Sequence, residues 1–144
     1  MLPSIGLASW VKTTGGKGLH VVAPFRANYA WDVVKPVAHA IAADMVREAP
    51  DAFTLSPMKA ARKGKIYLDI LRNGEEATAV LPYSARARDG LTVSMPIAWE
   101  DLRSVDPADF TVRTAPELLA RRTADPWAAL LSSAQKLPKG LRSG

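Results

Sequence analysis

The sequence contains no cysteine, which excludes disulfide cross-links and thiolate-bound metals and fits a reducing compartment. Histidine is nearly as scarce: His20 and His39 are the only two, and they do not form a paired metal-ligand pattern. No Ser-His-Asp or Cys-His arrangement stands out, so hydrolase readings are left without a nucleophile. Nor does any run approach the roughly 20 continuous apolar residues that a membrane-spanning helix needs. Residues 1–12 lack a basic stretch followed by an apolar run, so they do not read as a secretion signal. The expectation is a soluble cytoplasmic protein with no membrane partner.

Acidic residues are in the minority, 14 against 19 Lys and Arg, and the net charge of +5 favours anionic partners such as nucleotides or nucleic acid. With 48% of its 144 residues apolar, the chain can bury one proper core. Residues 1–144 are therefore expected to form a single domain.

Along the chain, the basic glycine-rich loop Thr13-Thr14-Gly15-Gly16-Lys17-Gly18 leads directly into Leu19-His20-Val21-Val22-Ala23-Pro24-Phe25, a β-rich run ended by proline. From Trp31 to Val46, apolar Trp31, Val34, Ala38, Ile41 and Met45 recur at helical spacing, which predicts an amphipathic helix with Pro36 in its first turns or at a kink. Residues 50–65 read as a loop with a short helix. Ile66-Tyr67-Leu68-Asp69-Ile70-Leu71 is apolar on both faces, the pattern of a strand central in a sheet, and Arg72-Asn73-Gly74 marks its turn. Residues 77–94 read as mixed strand and loop, 99–102 as a helical turn, and 109–112 as a short strand. Two final helices are expected over 116–122 and 126–136, followed by a frayed tail over 139–144.

Asp69 is the most informative single position. A carboxylate flanked by Leu68 and Ile70 in a buried strand loses its hydration unless a cation replaces it. It is either a metal ligand, or paired with an Arg or Lys, or a strand-end carboxylate that reaches water. The glycine loop has what a phosphate cradle needs: glycines that admit backbone N–H groups, the charge of Lys17 and the hydroxyl of Thr14, with His20 one step further on. A tight glycine turn with a solvated lysine explains it as well, and it lacks the Walker A pattern. Arg86 and Arg88 alternate, so an extended segment presents both on one face, to grip a triphosphate or DNA or simply to line a sheet rim. The basic set Lys59, Arg62, Lys63 and Lys65 is either a solvated loop or a set of phosphate contacts. His39, in the amphipathic helix, reads as structural.

Taken together and in this order, several segments resemble the polymerase (primase-like) domain of bacterial DNA ligase D, of the archaeo-eukaryotic primase superfamily. They are Lys12-Thr13-Thr14-Gly15-Gly16-Lys17-Gly18-Leu19-His20-Val21, Arg62-Lys63-Gly64-Lys65-Ile66-Tyr67-Leu68-Asp69-Ile70-Leu71-Arg72-Asn73, Pro82-Tyr83-Ser84-Ala85-Arg86-Ala87-Arg88, Val93-Ser94-Met95-Pro96 and Trp99-Glu100. The match corresponds to the C-terminal portion of that domain. It implies an α/β fold, a partial primase-polymerase fold with an RRM-like mixed sheet flanked by helices. It also implies a bacterial nucleotidyltransferase that uses divalent metal (Mn2+ or Mg2+) and NTP or dNTP at DNA ends in non-homologous end joining, with Ku and the ligase and N-terminal polymerase portions as partners.

On the matching positions, Asp69 stands as a catalytic, metal-binding carboxylate beside the glycine turn. Thr14, Lys17, His20, Arg72, Arg86 and Arg88 stand as triphosphate-binding residues, with Thr14 where the family has serine, and Lys59, Arg62, Lys63 and Lys65 as the set facing nucleic acid. The family's Asp-x-Asp pair lies upstream of the glycine loop, yet residues 1–12 contain no Asp or Glu. The chain is therefore expected to be incomplete and inactive alone. Its alternatives are a non-catalytic nucleotide- or DNA-binding remnant and an interaction module that dimerises.

Overall fold

The computed structural model describes residues 5–138, and the tail expected over 139–144 lies outside them. The architecture is mixed α/β, and the chain divides into two compact units. Among the described residues, one comprises 26–79 with 136–138, and the other 5–25 with 80–135.

The second unit is built on an antiparallel sheet of order β2-β1-β5, with β1 at Trp10–Thr13, β2 at Leu19–Val22 and β5 at Pro96–Ile97. The glycine loop is the turn of the β1–β2 hairpin, in which Val11 pairs with Val21, Lys12 with His20 and Thr13 with Leu19. The glycine loop does lead into a strand, as the sequence predicts; β1 and β5 are additions, and the two residues of β5 are too few to show a period. Val11, Val93, Met95, Ile97, Phe110 and Ala115 form the core, with Leu102 and Val105 packed on it. Indole N–H groups tie two loops to β1 and its lead-in: Trp127 Nε1 donates to Val11 O at 2.9 Å and Trp99 Nε1 to Ser9 O at 2.8 Å. The helical turn near Trp99 is a 3-10 helix over Glu100–Arg103, and α2 spans Ala115–Ala120. The helix expected over 126–136 is a series of turns instead. Trp127 is instead held by its bond to Val11 O, and Leu131 is left 91% exposed.

The first unit carries α1 over Trp31–Glu48, close to its expected span, with Val37 and Ala42 buried and Pro36 inside its second turn. Asp32 in the first turn and Arg47 in the last complement the helix dipole. His39 is exposed rather than packed, which corrects the structural role expected of it. A 3-10 turn over Lys59–Arg62 supplies the short helix expected before residue 65.

The largest departure is at 66–71, where β4 is only Ile66–Tyr67, paired in parallel with β3 at Phe53–Thr54 in a two-stranded sheet. The segment is not a central strand: Ile66 and Leu71 are each 62% exposed. Asp69 ends the extension, because its Oδ1 accepts the Leu71 N–H at 3.0 Å and Asn73 then bonds back to Ile70 O through both its backbone N–H (3.1 Å) and its Nδ2 (3.0 Å). Local side-chain bonds of this kind compete with a ladder and win where no third strand is there to pair.

Among the described residues, no helix is long and apolar enough to cross a membrane. Met95 is fully buried at the centre of its core. Met95→Ala is expected to cost about 2–5 kcal/mol through lost transfer energy and the cavity left behind, measured by urea denaturation; a change within ~0.5 kcal/mol would show that this core is not what holds the unit together.

Candidate functional site

The site grows from the hairpin turn. Thr14 closes it twice on Gly18 O, through its backbone N–H at 3.0 Å and its hydroxyl at 3.1 Å. Gly15 sits at φ +64°, in the left-handed region that suits glycine. The turn is pinned to the 80–94 segment, since the Thr92 hydroxyl donates to Gly15 O at 2.7 Å. Thr92 O in turn accepts the Arg86 N–H at 2.8 Å, and Ala85 bridges Val93.

These bonds bring both expected arginines onto the turn. A Cβ built on Gly15 would lie 2.5 Å from Arg86 Cγ, and one on Gly16 would lie 2.5 Å from an Arg88 guanidinium nitrogen. The two side chains therefore lie over adjacent glycines. Their route is not the straight extended one: Arg88 N–H donates to Arg86 O at 2.8 Å, folding the chain tightly between them. Lys17 is exposed at the tip of the turn, and His20 is half-buried in β2. Thr14, Lys17, His20, Arg86 and Arg88 thus gather within one unit.

Reasoning from sequence missed Lys12. It is 3% exposed, and its Nζ donates to Val80 O at 2.9 Å and to Ser94 Oγ at 2.7 Å. Burial, reinforced by the neighbouring charge of Arg86, lowers its pKa from 10.5 to about 8. The signal was present as a lysine between Val11 and Thr13 at the mouth of a glycine turn. Only the pairing of β1 with residues some 80 positions away gives it meaning.

Asp69 and Arg72 belong to the first unit. Asp69 is exposed, so the desolvated carboxylate expected from an apolar strand is not what forms. Its Oδ2 lies 4.0 Å from Arg72 Nε, and Arg72 also donates to Thr78 O at 3.2 Å. An exposed pair of this kind contributes little to stability. In the basic set, Arg62 stacks its guanidinium 3.8 Å from the Tyr67 ring centroid and Lys65 donates to Pro50 O at 2.7 Å, while Lys59 and Lys63 are exposed.

A glycine turn overlain by the stem of Arg86 and the guanidinium of Arg88, on a sheet that carries a lysine and a histidine, gathers in an α/β protein the donor types that suit an anion. Its lineage follows from comparison with known proteins. Residues 1–127 match the model of the LigD primase-polymerase domain, and the chain belongs to that family. It is 38% identical over 144 residues to the multifunctional non-homologous end joining protein LigD of Pseudomonas aeruginosa, a match covering 99% of this chain and 17% of that protein. It is 31% identical over 116 residues to the bifunctional non-homologous end joining protein LigD of Bacillus subtilis, covering 79% of this chain and 19% of that one. Among solved structures, the polymerase domain of Mycobacterium tuberculosis ligase D in complex with DNA superimposes with a TM-score of 0.80 at 30% identity, covering 92% of this chain and 46% of that one. The chain thus spans less than a fifth of these full-length relatives and under half of the solved domain.

A primase-polymerase centre implies divalent metal. Among the described residues, no three His, Cys, Asp or Glu side chains come together to hold a metal ion. Asp69 alone does not make a dication site, so the described residues do not fit the metal.

Two outcomes are expected. Gly15→Ala combines a left-handed backbone with a clash at the root of the Arg86 side chain; it should cost about 1–2 kcal/mol in denaturation. Gly16→Ala meets only the far end of Arg88 and should be nearly neutral; equal effects would refute the asymmetry. Because the folded pKa of Lys12 lies below its unfolded value of 10.5, the unfolded chain binds more protons above pH 8, and stability should rise with pH. The rise should be on the order of 1.5 kcal/mol between pH 8 and about 9.5 and absent in Lys12→Met; a flat profile in the parent protein would contradict the burial of a charged amine.

Proposed function

We propose that this chain is the nucleotide-gripping part of a ligase D-type polymerase domain. Thr14, Lys17, His20, Arg86 and Arg88 receive the triphosphate of an incoming NTP or dNTP. The observation that carries this reading is the packing of Arg86 and Arg88 over Gly15 and Gly16, in a chain of the LigD primase-polymerase family. Guanidinium forks and a glycine backbone are the donors that phosphate oxygens select.

The solved relative is a complex with DNA. By analogy Lys59, Arg62, Lys63 and Lys65 contact the DNA backbone, and the setting is non-homologous end joining in the bacterial cytoplasm, with Ku and the ligase portion as partners. Asp69 offers one carboxylate, oriented by Arg72, to a Mn2+ or Mg2+ centre only alongside acidic ligands supplied from outside these residues. The chain alone binds nucleotide and does not polymerise.

Calorimetry with ATP in the absence of metal tests the reading. Arg86→Ala should weaken binding by about tenfold or more, the range for a hydrogen bond to a charged group, and Lys17→Ala should weaken it less. A Lys59→Glu, Lys63→Glu double variant should flatten the salt dependence of DNA binding by about two logarithmic units per decade. Failure of ATP and DNA to bind at low salt would refute the proposal. Manganese-dependent primer extension by the chain alone would refute its inactivity.

A further inference from the structure

Lys12 has no part in the reading above, and its surroundings give it one. In β1 it stands directly across from His20 in β2 and from Pro96 in β5, so the three share one face of the sheet. The charged and titratable groups that face it are Arg86, from the segment that also supplies Val80 and Ser94, and His20; β5 and the rest of β1 bring none. Its two acceptors, a carbonyl and a hydroxyl, would be served equally well by a neutral donor. What a lysine adds there is charge, and burial and Arg86 both work against that charge.

An anion on the Gly15–Gly16 turn reverses the balance. The same low-dielectric surroundings that penalise an isolated ammonium strengthen its attraction to a phosphate. We infer that Lys12 is a proton-linked member of the anion site: its buried ammonium supports a phosphate held by the glycine turn, Arg86 and Arg88, and the site loses affinity when that ammonium gives up its proton. Deprotonation leaves two N–H groups for the two acceptors, so the hydrogen-bond network survives it. The charge, not the architecture, is what titrates. This inference rests on the proposed triphosphate site, and its test separates the two.

The experiment is calorimetry of metal-free ATP binding from pH 7.5 to 9.5, in buffers of differing ionisation enthalpy, for the parent chain and Lys12→Gln. Above about pH 7.5 the terminal phosphate is ionised and an ordinary histidine is neutral, so neither obscures the result. The α-amino group titrates in the same window, and the variant leaves it in place. In the parent chain, ATP binding should take up a fraction of a proton near pH 8, and affinity should fall by about tenfold across the range, the scale of one charge pair near 10 Å at an effective dielectric of about 20. Lys12→Gln should bind at the weakened level throughout and lose this proton uptake. Should the variant not fold, the Lys12 Cε resonance of the parent chain, assigned and titrated by NMR, carries the same test: ATP should move its titration upward. Proton-neutral binding, an unchanged pH profile in the variant or an unmoved resonance would overturn the inference and leave the nucleotide site standing. No ATP binding at any pH would overturn both.

Discussion

The described part of the second unit depends on how Thr13 is satisfied. Its side chain and backbone are fully buried, and four hydrogen bonds converge on it: Thr13 N–H to Met95 O at 2.9 Å, Thr13 Oγ1 to Val93 O at 3.2 Å, Met95 N–H to Thr13 Oγ1 at 2.9 Å, and Ser94 Oγ to Thr13 O at 2.8 Å. Each contributes a modest net amount, yet leaving any of these buried groups unpaired costs about 1–3 kcal/mol. Partners some 80 positions away in sequence are therefore held firmly. That closure carries Arg86 and Arg88 to the glycine turn. Without it, 13–18 is a generic hairpin loop and 82–88 a generic basic segment.

The same closure explains why a lysine is tolerated in the interior. Ser94 Oγ accepts from Lys12 and donates to Thr13 O, so one hydroxyl links the charged group to the bonds that join the two segments. A fully satisfied polar network is rigid, and its low dielectric amplifies any charge placed near it. Lys12, Lys17, Arg86 and Arg88 occupy one unit with no acidic side chain paired to them by a salt bridge among the described residues. A fold that gathers like charges this way gives up stability, and sites where local rules are broken together are commonly functional ones.

Patterns confined to a few neighbouring residues were legible in the sequence. The 3.6-residue recurrence behind α1 and the glycine turn feeding β2 needed no distant partner to be read. The ordered motifs led to the family because each quotes several adjacent residues. What escaped was whatever long-range pairing decides. β5 is two residues long and is a strand only because β1 lies beside it. Ile66 to Leu71 has the composition of a buried strand, but composition cannot state how many strands there are to pair with, and Asp69 and Asn73 turn the chain first. Lys12 was visible as a residue and invisible as a site for the same reason.

The exposure of Asp69 bears on the division of labour within such a domain. A carboxylate sealed in a strand would have to be neutralised by a cation from its own interior, as a complete local site. At 43% side-chain exposure, with one oxygen held by the Leu71 N–H and the other 4.0 Å from Arg72, it is oriented but open. One such carboxylate is too little charge and too few oxygens for a dication that takes six or more ligands. An anion at the glycine turn would meet no such shortage, since guanidiniums and amides need no metal to recognise phosphate. On the proposed reading, phosphate recognition needs only groups this chain already carries, whereas a metal-dependent step would need carboxylates beyond Asp69.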